Sequence, residues 1–275
     1  MLLKDLTTER RNPTTQNISK LPTDEILRLI NAEDHKVAPA VAEVIPQVKA
    51  AVGLIAAALS AGGRLFYMGA GTSGRLGVID AAECPPTFGT EPNLVQGLIA
   101  GGPPAIFRAQ ENAEDCEELG AAALEEKQLT ATDVVVGLTA SGRTPYVIGG
   151  LKYARSVGCA TIGITCNLDP EMTPQVNVLI APQVGPEVLT GSTRMKSATA
   201  QKMILNMIST AIMIRLGRVE SNLLVNMQTR CHKLRDRAIR VVMELTGASA
   251  DESDAALEAM GGNVREAIEE VRSGA

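Results

Sequence analysis

Apolar residues recur at three- and four-residue intervals from Val37 through Val41, Val44, Val48, Val52 and Ile55 to Leu59, the period of a helix burying one face, and Gly62-Gly63 stops it. A short apolar run, Leu65–Met68, follows and closes on a glycine-rich loop. Comparable runs at Leu94–Ile99, Val134–Leu138, Thr161–Thr165 and Val178–Ile180 are separated by helical segments. Such alternation predicts an α/β fold, a parallel five-stranded sheet sandwiched between helices, with the β-branched run at Val134 in a central position. Beyond Thr190 the pattern reads as helix only. Met195–Leu216 is one long, Met-rich helix, another runs from about Arg230 to Leu245, and two short patterns in Ala248–Val271 flank Gly261-Gly262 to complete a small three-helix unit. A division near Ser221 separates a sheet domain with N-terminal helices, 1–221, from a helical region, 222–275.

The 275 residues are enough for a core that needs no staples. A net charge of −5 and only six aromatic rings argue against nucleic acid as a partner, since both a basic footprint and stacking platforms are missing. The five cysteines, Cys84, Cys116, Cys159, Cys166 and Cys231, are scattered without a CxxC pair, and only His35 and His232 are present to complete a metal site. A structural zinc is not expected, and a reducing cytoplasm is. The first residues run straight into charge, and the longest apolar stretches, near Ala50–Ala61 and Met203–Ile214, are too short for a bilayer. No membrane partner and no export are expected.

Gly69-Ala70-Gly71-Thr72-Ser73-Gly74 has the outline of a dinucleotide fingerprint between a strand and a helix. The acid that such a site wants at the end of the next strand is missing: Ala100 runs into Gly101-Gly102-Pro103-Pro104, and Glu91 precedes that strand. The competing reading is a monophosphate site, built from a helix N-terminus and the hydroxyls of Thr72 and Ser73. A second strand-loop-helix of the same type, Thr139-Ala140-Ser141-Gly142-Arg143-Thr144, strengthens it, because neighbouring strand ends of an open sheet share one crevice. Plain helix capping by Thr72 and Ser141 is the alternative. A third cluster, Thr190-Gly191-Ser192-Thr193-Arg194-Met195-Lys196, opens the long helix; Ser192, Arg194 and Lys196 either meet a second anionic group, such as a carboxylate, or cap the helix and face solvent.

Glu83 precedes Pro85-Pro86, which are expected to stop its helix. There the helix dipole and partial burial among Ala81, Ala82 and Pro85 favour the protonated acid, whereas an incidental surface position gives it no role. Glu111, Glu114, Asp115, Glu117 and Glu118 form a second acidic cluster that reads equally as a solvated helix face. Residue types and spacing do not choose among these carboxylates. His35 is expected to face solvent, His232 beside Cys231 makes neither a metal site nor a dyad, and Cys84 reads as a packing residue.

Four segments in order, from Gly69 to Gly77, from Glu83 to Thr87, from Ala140 to Tyr146 and from Thr190 to Lys196, resemble the N-acetylmuramic acid 6-phosphate etherases, members of the sugar isomerase (SIS) fold group. The likeness covers nearly the whole chain. It implies a flavodoxin-like sheet, a C-terminal unit like the ubiquitin-associated fold, a homodimer, and a carbon-oxygen lyase that needs no cofactor. The reaction it implies releases D-lactate from N-acetylmuramic acid 6-phosphate during cell-wall recycling. It assigns Glu83 as acid and Glu114 as base, Ser141, Gly142, Arg143 and Thr144 as the phosphate loop, and Thr72 and Ser73 to the sugar site. A sugar-phosphate sensor without chemistry and a sugar-phosphate isomerase are the other readings of the same loops.

Overall fold

The five apolar runs form five parallel strands, β1 (Leu65–Gly69), β2 (Val95–Ile99), β3 (Val134–Leu138), β4 (Ala160–Ile164) and β5 (Val178–Ile180), in the order β2-β1-β3-β4-β5. The structure is a computed structural model in which residues 6–227 and 232–274 are described. β1 and β3 are buried along their whole length, as strands covered on both faces are. Their register sets Gly69 beside Leu138, so both strands end level. One face is covered by α6 (Glu117–Glu126) and α7 (Pro145–Val157), whose Leu124, Tyr146, Val147 and Leu151 pack with Phe66, Met68 and Val135. On the other face lie α3 (Ile45–Ser60), against β3 and β5, and α4 (Gly71–Phe88), against Tyr67 and Leu138.

Three local expectations need correction. The periodic stretch from Val37 to Leu59 is two helices, α2 (Val37–Ala42) and α3, preceded by α1 (Thr23–Asp34). In one unbroken helix Pro46 would leave the Ala42 carbonyl without a donor and clash with it; starting α3 at Ile45 places the ring in a first turn, where no N–H is needed. Pro85 and Pro86 do not end α4, which continues through both to Phe88 and closes with the Gly89 N–H on the Pro85 carbonyl at 3.0 Å. The chain after α8 (Lys196–Arg215) is also not all helix. β6 (Val219–Glu220) and β7 (Leu223–Leu224) form a small antiparallel hairpin, turned at Ser221 with φ +55°. Two-residue strands carry no period for sequence reading to detect.

The chain divides into two compact units, one of residues up to Ala81 with Asn93–Ser209, the other of Ala82–Pro92 with residues from Thr210 onward. The division falls inside α4 and inside α8. In the second unit α9 (His232–Thr246), α10 (Ala250–Ala259) and α11 (Val264–Gly274) bury Ala238, Val242, Leu257, Val264 and Ile268 among themselves. A reciprocal capping box between Ser249 and Glu252 starts α10. The second unit also holds Gly89, whose carbonyl accepts from Arg218 Nη1 at 3.1 Å.

Two buried carboxylates brace the first unit. At the amino ends of β1 and β3, Asp133 accepts the Arg64 N–H (2.7 Å), Arg64 Nε (3.1 Å), Arg64 Nη2 (2.7 Å) and the Thr130 N–H (2.8 Å). Desolvation raises the Asp133 carboxyl, but these bonds outweigh it and hold the pKa below the ordinary value. At the start of α8, Glu187 accepts the Lys196 and Ser197 N–H groups, each at 2.9 Å, and the Ser197 hydroxyl at 2.8 Å. The Lys196 ammonium turns inward to Glu33 of α1 at 2.6 Å, and Lys36 and Thr14 complete the Glu33 shell. Burial opposes the Glu33 charge, yet the bonds from Lys196 and Lys36 prevail and lower its pKa from 4.5 to about 2.

Asp133→Ala is expected to cost about 3 kcal/mol, because it leaves the Arg64 donors and the strand-end N–H groups without an acceptor; urea unfolding measures it. A carboxyl depressed in the folded state contributes stability that is complete above its unfolded pKa and lost as pH falls toward the folded one. Glu33→Gln is therefore expected to flatten the fall in melting temperature between pH 4.5 and about 2, the interval set by the shift.

Candidate functional site

The winding of the sheet reverses at β1: from it the chain crosses first to β2 on one side and then to β3 on the other. No helix can cover the carboxyl edge at such a switch point, and ligands of open parallel sheets bind there. Both hydroxyl-rich loops leave from that edge. After β1, Gly71 takes φ +52° and α4 begins at once, with the Gly74 N–H on the Ala70 carbonyl at 3.1 Å. The turn tolerates nothing larger at Gly74, whose Cβ would lie 2.7 Å from the Gly69 carbonyl oxygen. Thr72 and Ser73 sit in the first turn, half-buried, beside the free N–H groups of the helix end. Among the described residues neither hydroxyl has a partner, so neither is spent on capping.

The loop after β3 is more tightly built. Buried Thr139 shares its hydroxyl with Thr144 (2.8 Å), Ser141 (3.2 Å) and the Gly142 N–H (3.2 Å), while Ser141 Oγ accepts the Arg143 N–H at 3.2 Å. Thr144 is the N-cap residue of α7 but makes no side-chain cap bond. Capping thus does not account for these hydroxyls. Gly142 has φ +74°, and a Cβ there would lie 2.1 Å from Pro170 Cβ. Arg143 lies over the loop, paired through Nε (2.7 Å) and Nη2 with the exposed Glu171.

Glu114 precedes α6, is exposed, and is tied to this loop through its backbone: the Tyr146 N–H, in the first turn of α7, donates to the Glu114 carbonyl at 3.0 Å. The helices meet so closely there that a Cβ on Gly120 would lie 1.8 Å from the Tyr146 carbonyl oxygen. The rest of the acidic cluster divides. Glu117 pairs with Lys152, and Glu118 accepts from the Cys116 thiol, while Glu111 and Asp115 are exposed. Glu83 belongs to the second compact unit; it is exposed on α4, without the expected partial burial, and five residues of helix follow it.

The third cluster splits. Arg194 is exposed and, with Thr72, Leu76, Lys202, Met203 and Asn206, lines a cleft of about 350 Å³ between the starts of α4 and α8. Lys202 there bonds Asn206 at 2.6 Å and Asp80 at 3.4 Å. Ser192 is half-buried in the turn before α8, its N–H on the Leu189 carbonyl at 2.9 Å. Lys196 does not reach a ligand surface: it is wholly buried against Glu33, because its backbone N–H already serves the Glu187 cap and its side chain points into the core. His35 is exposed, its Nδ1 against the Asn31 carbonyl, and Cys84 is buried as expected. Cys231 and the His232 side chain lie outside the described residues. Among the described residues no cluster of three His, Cys, Asp or Glu side chains is placed to hold a metal ion, and no single helix is long and apolar enough to cross a membrane.

Sequence reading missed Asn167 and Glu171, which follow β4 and support the β3 loop from the neighbouring strand end. Neither belongs to a spaced motif, so only the pairing of β3 with β4 brings them to the loop.

Residues 47–155 match the family described as the glucokinase regulatory protein N-terminal SIS domain. Among solved structures, the phosphoheptose isomerase of Neisseria gonorrhoeae superposes with a TM-score of 0.52 at 16% identity, over 70% of this chain and 98% of its own. A sugar-phosphate-fold protein of E. coli does so at 0.52 and 19%, over 74% and 97%. These show the SIS fold. Whole-chain relatives are much nearer. The N-acetylmuramic acid 6-phosphate etherase of Pectobacterium atrosepticum is 55% identical over 97% of this chain and 88% of its own length, and that of Cronobacter sakazakii 56% over 100% and 92%. The enzyme of the same name from Clostridium beijerinckii is 53% identical over 97% and 88%. With more than half its residues shared along nearly its full length, this chain belongs to the N-acetylmuramic acid 6-phosphate etherase family.

Proposed function

We propose that the chain cleaves the D-lactyl ether of N-acetylmuramic acid 6-phosphate, giving N-acetylglucosamine 6-phosphate and D-lactate, in the recycling of cell-wall amino sugars. One observation carries this reading: identity of 53–56% along nearly the whole chain to enzymes of that name. The switch-point loops supply what the substrate needs. Its phosphate binds at Ser141, Gly142, Arg143 and Thr144, with Thr72 and Ser73 facing the sugar. The Arg143–Glu171 pair is exposed and worth under about 1 kcal/mol, so a phosphate dianion competes well for the guanidinium.

An ether oxygen is a poor leaving group. In the open-chain sugar, however, the C2 proton is alpha to the aldehyde, and its removal gives a resonance-stabilised carbanion from which the C3 substituent can leave. Glu114 takes the C2 proton. Glu83 protonates the departing lactyl oxygen, and water then adds to the unsaturated aldehyde with the two roles reversed. Backbone attachment of Glu114 to the first turn of α7 supports its role, since the same turn follows the phosphate loop. The role of Glu83 rests on its family motif and on the need for an acid. Binding energy from the remote phosphate serves to orient C2 and C3. Arg194 is suited to the lactyl carboxylate, whereas Lys196 holds α8 in place.

We also propose a cytoplasmic homodimer. Free thiols at Cys84, Cys116, Cys159 and Cys166 and the exposed apolar side chains Met207 and Ile214 of α8 support it. Sedimentation at twice the chain mass checks the dimer.

Incubation with N-acetylmuramic acid 6-phosphate is expected to release D-lactate; conversion of the sugar without lactate would instead identify an isomerase. Glu83→Gln is expected to slow lactate release by roughly 10²- to 10⁴-fold while substrate binding changes little. Release at the wild-type rate would remove Glu83 from the mechanism. In deuterium oxide the product is expected to carry deuterium at C2, and a product with none there would indicate direct displacement at C3.

A further inference from the structure

We infer that Asn167 is a positioning residue for the phosphate loop, acting through the Ala140 carbonyl to set the direction of the Ser141 N–H. This rests on the reading of Ser141–Thr144 as the phosphate site. Asn167 follows β4, is only 1% exposed, and makes three side-chain contacts. Its Nδ2 donates to the Ala140 carbonyl at 2.9 Å and to the Thr8 hydroxyl at 3.2 Å, and its Oδ1 accepts the Thr8 N–H at 3.5 Å. The carbonyl can only accept and the Thr8 N–H can only donate, so the network fixes which amide atom is which.

The Ala140 carbonyl also accepts the Cys166 N–H and the Thr165 hydroxyl, each at 3.1 Å. Three donors from the end of β4 therefore hold one oxygen of the β3 loop. In a planar trans peptide the C=O and N–H of one unit point opposite ways. Holding the Ala140 oxygen toward β4 turns the Ser141 N–H away from it. Among the described residues that N–H has no acceptor, whereas the Gly142 and Arg143 N–H groups are used inside the loop. Hydrogen bonds to the carbonyl also polarise the same peptide and make its N–H a stronger donor. Thr8, wholly buried, holds Asn167 in turn, so the N-terminal segment supports the loop without touching a ligand.

Asn167→Asp keeps the side-chain size, removes both N–H donors and sets an oxygen against the Ala140 carbonyl. With N-acetylmuramic acid 6-phosphate as substrate and inorganic phosphate as competing probe, KM and the phosphate inhibition constant are expected to rise about tenfold, with kcat changed less than about threefold. A purely structural lesion lowers the active fraction, and with it kcat, while KM and phosphate inhibition stay at wild-type values; that result overturns the assignment. Should Asn167→Asp fail to fold, Thr8→Val removes only the hydroxyl partner and is expected to raise the phosphate constant about threefold; an unchanged constant there overturns it too. Ser141→Ala separates the two readings. If it leaves phosphate inhibition unchanged, the loop is not the phosphate site and both readings fall. If it weakens phosphate while Asn167→Asp does not, the positioning role alone falls.

Discussion

Parallel pairing of β1 with β3, level at Gly69 and Leu138, is the constraint on which the rest of the first unit depends. Parallel strands bring all their carboxyl ends to one edge, and the reversal of winding between these two leaves that edge uncovered. Every hydroxyl-rich loop residue assigned to the sugar phosphate then follows from chain continuity, because each loop is simply what comes after its strand. Small residues are needed there for a steric reason. Gly74 and Gly142 approach backbone or ring atoms at distances no Cβ can occupy, and this allows the backbone N–H groups to face the crevice.

Charge is arranged around that edge in two ways. Asp133 and Arg64 lock the opposite, amino ends of β1 and β3, where the chain needs rigidity and no ligand enters. Glu33 and Lys196 are buried together, and removing either would leave the other uncompensated. By contrast, Arg143 and Arg194 stay at the surface, one in a weak exposed pair and one in an open cleft. A cation that is to meet an anionic substrate has to remain easy to recruit, and solvent exposure achieves that.

Five strands, their flanking helices and the three C-terminal helices were legible in the chain, since each is long enough to show its period or is bounded by glycine. Two-residue strands β6 and β7 were not, and the break between α2 and α3 was hidden because the apolar spacing continues across it. Pro85 and Pro86 misled in the other direction: helix preference alone ends α4 before them, while the folded chain carries the helix to Phe88. Of the third cluster, residue type could not tell Arg194 from Lys196. Both are cations two positions apart at a helix start, yet one faces solvent and the other is buried at Glu33, 163 residues away in sequence.

By itself the sequence determined the fold class, the two loops, the candidate carboxylates Glu83 and Glu114 and the family, because these are written in local periods and contiguous motifs. Tertiary structure alone decided that the two loops lie side by side, that Lys196 is structural, and that Asn167 and Glu171 support the β3 loop. Those facts depend on which strand ends are neighbours and which way a buried side chain turns, and strand order and burial are properties of the packed chain that no local run of residues encodes.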